Sequence, residues 1–381
     1  GFFGDWEISL RMPSVLFSLG TGYFVYRIGR LLGNKQKGMW AMIFFLFNPL
    51  SIYYSQEARM YMMATFLGTL TFFFFIKMQK VKSKIDLILF NLFIVLSFYT
   101  FYGIIFLIVF YWIYFLWKKK YQEFFYSILI FIFSFLIISP LLYQQWMNSK
   151  ISLSEVKNWS LVLGKANLKN LILIPLKFSV GRISFYPKWL YYLIAGSWVM
   201  FLIILNIKNF KNMIKNKNIE LLYLLVILPI LFGFGISFFT PLLSYFRFLY
   251  LLPIFCILLS FAINTTVLRS IVVIGFGIFS AFYLLNTDFH REDWRSLAKS
   301  IPKNLPLFMI LSSSDSLKYY NHNLKIFSLN NLSKSNYKKI IVIPYTAEIW
   351  GINYQKILKE KQYFIQKKVD FRGVFYEIYQ K

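Results

Sequence analysis

Ten apolar runs follow one another through the first three quarters of this chain, each able to cross a bilayer once its flanking residues are counted. They fall at Met12–Leu32, Gly38–Tyr54, Met60–Ile76, Ile85–Tyr99, Phe101–Trp117, Phe124–Tyr143, Trp189–Ile207, Glu220–Thr240, Tyr245–Ile263 and Leu268–Asn286. In lipid such a run satisfies its backbone polar groups only as a helix or in a closed barrel, and runs of this length and spacing specify helices. A chain that is 58% hydrophobic and 22% aromatic, with mean hydropathy +0.57, is accordingly an integral membrane protein. The net charge of +27 would point to nucleic acid in a soluble protein. Here it reads instead as a topology signal, and no nucleic-acid partner is expected.

The cations collect in alternate connections. Arg27, Arg30, Lys35 and Lys37 form the first group, Lys77, Lys80, Lys82 and Lys84 the second, and Lys118, Lys119 and Lys120 the third. Lys208, Lys211, Lys215 and Lys217 follow, and then Arg269. The positive-inside rule makes these connections cytoplasmic. The intervening ones, including Gln144–Lys188 and Pro241–Ser244, face outward, as do both chain ends. Within the long outer segment, Leu171–Val180 is too short to span and is expected to lie as a helix at the interface. Asn48-Pro49, Ser139-Pro140 and Pro241 sit near outer helix ends, where proline stops or kinks a helix at little cost.

Up to Asn286 there are seven carboxylates: Asp5, Glu7, Glu57, Asp86, Glu123, Glu155 and Glu220. Asp86, Glu123 and Glu220 open helices on the cytoplasmic side, where they complement the helix dipole. The other four belong to the outer side, so acid or base chemistry in this part belongs there. No carboxylate lies at mid-membrane depth, which counts against a proton-coupled transporter. Cys256 stands alone, His290 and His322 lie outside the apolar region, and no glycine-rich phosphate loop occurs. No cofactor is implied, and the scattered outer carboxylates leave metal dependence open.

One outer connection holds both charges. Tyr53-Tyr54-Ser55-Gln56-Glu57-Ala58-Arg59-Met60-Tyr61 places a carboxylate and a guanidinium between two spanning runs, a position where charge is usually functional. Tyr53, Glu57 and Tyr61 would share a face if helix continued through the loop. An outward-facing enzyme without nucleotide motifs needs an activated donor anchored in the outer leaflet, and a polyprenyl-phosphate sugar meets that requirement. Its transfer needs a carboxylate to take a proton from the acceptor hydroxyl and cations to stabilise the departing phosphate. Arg59 suits the second role, since guanidinium binds phosphate oxygens through paired hydrogen bonds. Arg247, beside Tyr245 at an outer helix end, is a weaker choice. Arg11 either binds donor or acceptor or snorkels to the interface.

Four segments carry a resemblance. Leu10-Arg11-Met12-Pro13-Ser14-Val15-Leu16, the Ser55–Tyr61 loop, Arg247-Phe248-Leu249-Tyr250-Leu251-Leu252-Pro253 and Arg291-Glu292-Asp293-Trp294-Arg295 resemble, in this order, prokaryotic multispanning glycosyltransferases of the family 39 type. That superfamily has the GT-C fold and includes protein O-mannosyltransferases and the aminoarabinose transferase of lipid A. The resemblance implies an inverting transfer from a dolichyl- or undecaprenyl-phosphate sugar to a protein, lipid or glycan acceptor at the outer face of the plasma membrane. Glu57, Arg59, Tyr61, Arg247 and Arg11 would then bind the donor. It also implies a further helix and an acidic outer loop supplying the catalytic base ahead of Gly1; Asp5 and Glu7 are not assigned that role.

The bland alternative for Glu57 and Arg59 is an ion pair ordering a turn among interfacial tyrosines. The functional alternatives are a lipid-linked oligosaccharide flippase or other transporter, a glycan polymerase or ligase, a non-catalytic receptor or scaffold, or an inactive relative. The expected architecture is a polytopic α-helical membrane domain over residues 1–286 and a small extracytoplasmic α/β domain over 287–381. In the latter, helices are expected at Asp293–Ser300, Ser316–Asn321 and Tyr354–Gln366. Strands are expected at Leu307–Leu311, Lys325–Leu329, Lys339–Ile343 and Gly373–Tyr379. It carries 16 basic and 8 acidic side chains, which reads as a solvated basic surface or one that favours anionic membrane lipids or an anionic acceptor. Within the Arg291–Arg295 cluster, Trp294 is the expected anchor.

Overall fold

The computed structural model describes residues 7–81, 83–159, 163–213 and 216–381. Asp5, Lys82 and Lys215 lie outside the described residues. The chain divides into two compact units, Gly1–Leu141 with Leu163–Phe289, and Leu142–Val162 with His290–Lys381.

The first unit is helical: α1 Glu7–Leu32, α2 Lys35–Phe47, α3 Pro49–Ser55, α4 Met60–Lys80, α5 Lys84–Thr100 and α6 Ile105–Trp117. After α7, Tyr121–Glu155, come α8 Leu168–Val180, α9 Lys188–Met213, α10 Lys217–Ile236, α11 Leu252–Ala262 and α12 Thr266–Leu285. A 3-10 segment, Tyr245–Leu251, leads into α11. Each of the ten apolar runs contains helix, but the run Gly38–Tyr54 is broken at Asn48 and the helix in Glu220–Thr240 stops at Ile236. Among the described residues six helical stretches are long and apolar enough to cross a membrane: Met60–Lys80, Tyr121–Glu155, Lys188–Lys208, Lys217–Ile236, Tyr245–Ala262 and Thr266–Leu285.

Two departures from the expected pattern have local causes. The run Gly38–Tyr54 is split at Asn48, whose extended backbone (φ −63°, ψ 128°) ends α2 and whose side-chain oxygen accepts from the amides of Leu50 and Ser51 to start α3. Pro49 at the first helical position completes that start. Helix α7 passes through Pro140 and runs on to Glu155, where a stop near Tyr143 was expected. The Leu171–Val180 run forms α8, as a helix of 13 residues.

Helices α1 and α2 approach closely because Gly29 faces Gly38, and a Cβ on Gly38 would collide with the Tyr26 carbonyl. An aromatic core forms around Phe75, whose ring lies 4.6 Å from Tyr111, 5.9 Å from Phe90 and 5.8 Å from Phe115. The basic connections meet at one end of the helices. There Lys80 reaches the Leu31 carbonyl, Lys120 the Gln79 side chain, and Lys77 pairs with the buried Asp86 at 2.7 Å. Arg269, expected in a loop, is buried in the first turn of α12, its Nε donating to the Ile263 carbonyl at 3.1 Å.

Lys37 caps the end of α11. Its ammonium donates to the carbonyls of Ser260, Phe261 and Ile263 and to Asn264 Oδ1 at 3.0–3.3 Å, satisfying acceptors that a helix C-terminus leaves open. Lys37→Met is expected to destabilise the unit by about 2 kcal/mol, the scale of a charge-assisted hydrogen bond plus the helix-end term. An unfolding midpoint unchanged from wild type in the purified protein would contradict this.

The second unit contains a five-stranded sheet in the order β2-β1-β3-β5-β4, with β1 Leu307–Met309, β2 Ile326–Ser328, β3 Lys339–Ile343, β4 Phe364–Phe371 and β5 Val374–Gln380. β1 is parallel to β2 and β3, whereas β5 is antiparallel to both β3 and β4. The helices are α13 Trp294–Ser300, α14 Asp315–Tyr320, α15 Ala347–Trp350 and α16 Tyr354–Glu360. The helix expected to reach Gln366 therefore stops at Glu360, and β4 begins at Phe364. β4 is an edge strand with mostly exposed side chains, including Lys367, Lys368 and Asp370, so it lacks the apolar alternation that marks a half-buried strand. Trp294 is buried in this unit's core, edge-on to Tyr345 at 4.9 Å.

Asp293 caps α13 by accepting from the Ser296 amide at 3.0 Å. That backbone hydrogen bond, reinforced by Arg372 and Arg295, holds its carboxyl below the usual carboxylate range. The stabilisation is thus fully present above about pH 4 and is lost as pH falls through the lowered folded value. Asp293→Asn keeps a capping oxygen but removes the charge. The gap between wild-type and variant unfolding midpoints should close on acidification; a gap that does not change with pH would rule out the charge as its cause.

Candidate functional site

Helix does not continue through the Gln56–Arg59 loop. α3 ends at Ser55, α4 starts after Arg59, and Glu57 and Arg59 close a tight turn through the Arg59 amide to the Glu57 carbonyl at 2.9 Å. The expected i, i+4 face of Tyr53, Glu57 and Tyr61 is therefore replaced by a folded-back arrangement. Tyr54 packs edge-on against Tyr61 at 5.4 Å and against Tyr53 at 5.0 Å.

The turn draws in side chains from distant segments. Ser14 of α1 donates its hydroxyl to the Glu57 carbonyl at 2.6 Å. Tyr53 packs on Tyr283 at the end of α12, with ring centroids 5.3 Å apart. Tyr61 meets Phe101 after α5 at 6.0 Å and Phe246 in the 3-10 segment at 5.5 Å. The N-terminal ends of α1 and α4 and the C-terminal ends of α5 and α12 thus converge opposite the lysine-rich end.

Charge at this end is mostly positive. The Glu57 side chain is 8% exposed and lies 3.8 Å from the Arg182 guanidinium, which also hydrogen-bonds the Tyr53 hydroxyl and sits over its ring at 5.0 Å. Arg59 is exposed, Arg247 is half-buried over Phe246, and both act electrostatically on Tyr61. Arg59 occupies the N-cap position of α4 without a side-chain hydrogen bond to the helix. Arg11 pairs with Glu7 at 3.6 Å on an exposed face one turn before Ser14. Glu57, Arg59, Tyr61 and Arg247 are therefore brought together, while Arg11 is engaged along its own helix.

Arg182 was not singled out from the sequence, although a cation directly after an apolar outer stretch was the available signal. Its position follows from α8. Asn48 Nδ2 donates to the Phe178 carbonyl at 2.7 Å, and Gly181, at φ +71°, turns the chain where a Cβ would come within 2.8 Å of Pro49. Lys177, one turn earlier, is buried and donates to the Ile183 carbonyl at 2.9 Å and the Tyr191 hydroxyl at 3.0 Å. Burial, then the charges of Arg182 and Lys188, bring its ammonium down to about 8. Among the described residues no group of three or more His, Cys, Asp or Glu side chains is placed to hold a metal ion.

A carboxylate beside one arginine, two further arginines and a group of tyrosines thus gather at the end of this helical unit. Residues 2–144 match the family model for dolichyl-phosphate-mannose-protein mannosyltransferases. The structure of ArnT from Cupriavidus metallidurans in the apo state aligns with TM-score 0.54 at 10% identity, over 97% of this chain and 83% of that one. The chain shares the fold of ArnT, and six of its described helical stretches are long and apolar enough to cross a membrane. The structure of ArnT from the same organism bound to undecaprenyl phosphate aligns with TM-score 0.55 at 11% identity, over 99% of this chain and 85% of that one. No curated protein matches in sequence. At 10–11% identity the likeness to both structures is one of fold.

Proposed function

We propose that the protein is an inverting glycosyltransferase that moves a sugar from a polyprenyl-phosphate donor to a protein, lipid or glycan acceptor at the outer face of the plasma membrane. The C-terminal α/β unit lies on that face in this reading. The observation that carries it is the convergence of Arg59 and Arg247 on Tyr61 at the start of α4, beside the Arg182 and Glu57 pair. In the reaction the acceptor oxygen bonds to the anomeric carbon as that carbon's bond to the phosphate oxygen breaks. The acceptor proton passes to a base, and the polyprenyl phosphate departs with the bonding electrons. Charge grows on the phosphate oxygens, where guanidinium groups stabilise it. The fold's relative carrying undecaprenyl phosphate supports a lipid-phosphate donor. The base is not assigned to a residue described above.

The flippase alternative uses the same cations to attract a headgroup without chemistry. Membranes bearing the protein, supplied with undecaprenyl- or dolichyl-phosphate carrying a radiolabelled sugar, separate the two readings. Transfer predicts protein-dependent loss of label from the lipid and appearance of free polyprenyl phosphate. Donor lost no faster than in membranes without the protein, with intact lipid moving between leaflets, would overturn it.

A further inference from the structure

We propose that the C-terminal α/β unit carries a binding site for a neutral saccharide, separate from and not resting on the transfer reaction. A recess of about 470 Å³ opens within this unit, in the range of small-molecule sites and of mono- to disaccharide size. The unit's sequence is strongly basic, with 16 cationic side chains from Asp288 onward, yet among the described residues no lysine or arginine is part of the recess lining, Lys157 and Lys368 lying against the lining residues Gly351 and Phe375. A site for phosphate, carboxylate or nucleic acid would place guanidinium or ammonium groups there. The one charged lining residue is Glu348.

The remaining lining chemistry matches a polyhydroxylated ring. Two aromatic side chains, Tyr345 and Tyr354, line the recess with surfaces suited to apolar C–H faces, while Phe375 carries the Lys368 ammonium over its ring at 4.1 Å. The Tyr345 hydroxyl donates to Glu292 and that of Tyr354 to the buried Glu377, each at 3.2 Å, so both rings are fixed before a ligand arrives. Three neutral amides, Asn158, Asn353 and Gln355, share the wall. Asn158 donates its backbone amide to the Ile349 carbonyl at 3.0 Å and Nδ2 to the Glu348 carbonyl at 2.7 Å, which leaves Oδ1 as an acceptor. Asn353 uses Oδ1 to accept from the Lys356 amide at 3.0 Å, which leaves Nδ2 as a donor. Fixed donors, fixed acceptors and one carboxylate acceptor suit hydroxyls, which both give and accept hydrogen bonds.

The test uses the full chain in lipid nanodiscs free of sugar-based detergent. Saturation-transfer NMR would be run with mannobiose, cellobiose and chitobiose, and with glucose 6-phosphate as an anionic counter-probe. At least one disaccharide should give saturable binding that Glu348→Ala and Gln355→Ala, both exposed positions, each weaken by about tenfold. Arg59→Ala should leave that binding unchanged, which distinguishes this recess from the donor site. Absence of saturable binding by all three disaccharides, binding untouched by both recess variants, or preference for the sugar phosphate would each overturn the proposal.

Discussion

Arg59→Ala will lower sugar transfer from a lipid-phosphate donor by at least about 10²–10³-fold, the scale of losing one preorganised group that stabilises developing negative charge. Arg59 is exposed and makes no cap to its own helix, so removing it costs the fold little. The loss should fall on turnover at saturating donor, because charge accumulates on phosphate as the glycosidic bond breaks. Arg59→Lys keeps the charge but not the paired donors and should recover part of the rate. Purified, donor-supplied Arg59→Ala protein with wild-type turnover would remove Arg59 from the site.

Arg182→Ala should have the next largest effect, and of a different kind. It removes the guanidinium that balances a nearly buried carboxylate and releases the Tyr53 hydroxyl, disturbing the packing of Tyr53 on Tyr54 and Tyr283. Arg182 keeps 38% of its side chain exposed, which screens the pair below the cost of a fully buried one. About 1–2 kcal/mol of stability is expected to be lost, together with about tenfold or more in transfer. Glu57→Gln in the same background should return part of the stability, since no buried charge is then stranded. Strict additivity of the two substitutions would show that the 3.8 Å approach carries no coupling.

Helical character was legible because lipid imposes one rule on every apolar run, whereas the break at Asn48 inside Gly38–Tyr54 was not, because apolar residues continue on both sides of it. The loop bearing Glu57 and Arg59 stood out as charge between two spans. What could not be read was long range. Ser14, Arg182, Phe246 and Tyr283 reach this loop from four other parts of the chain, and no local spacing encodes those distances. Strand β4 escaped notice because an edge strand in a basic domain needs little apolar alternation, and the overrun of α7 because Pro140 does not stop it.

Asn48 does two things from one side chain: its oxygen starts α3 while its nitrogen holds the end of α8. Glu57 lies downstream of the first and Arg182 downstream of the second. The two charged groups are therefore measured from a common origin, like two arms hung from one hinge pin. The spacing of Glu57 from Arg182 is therefore set locally by one side chain rather than by the register of the long helices.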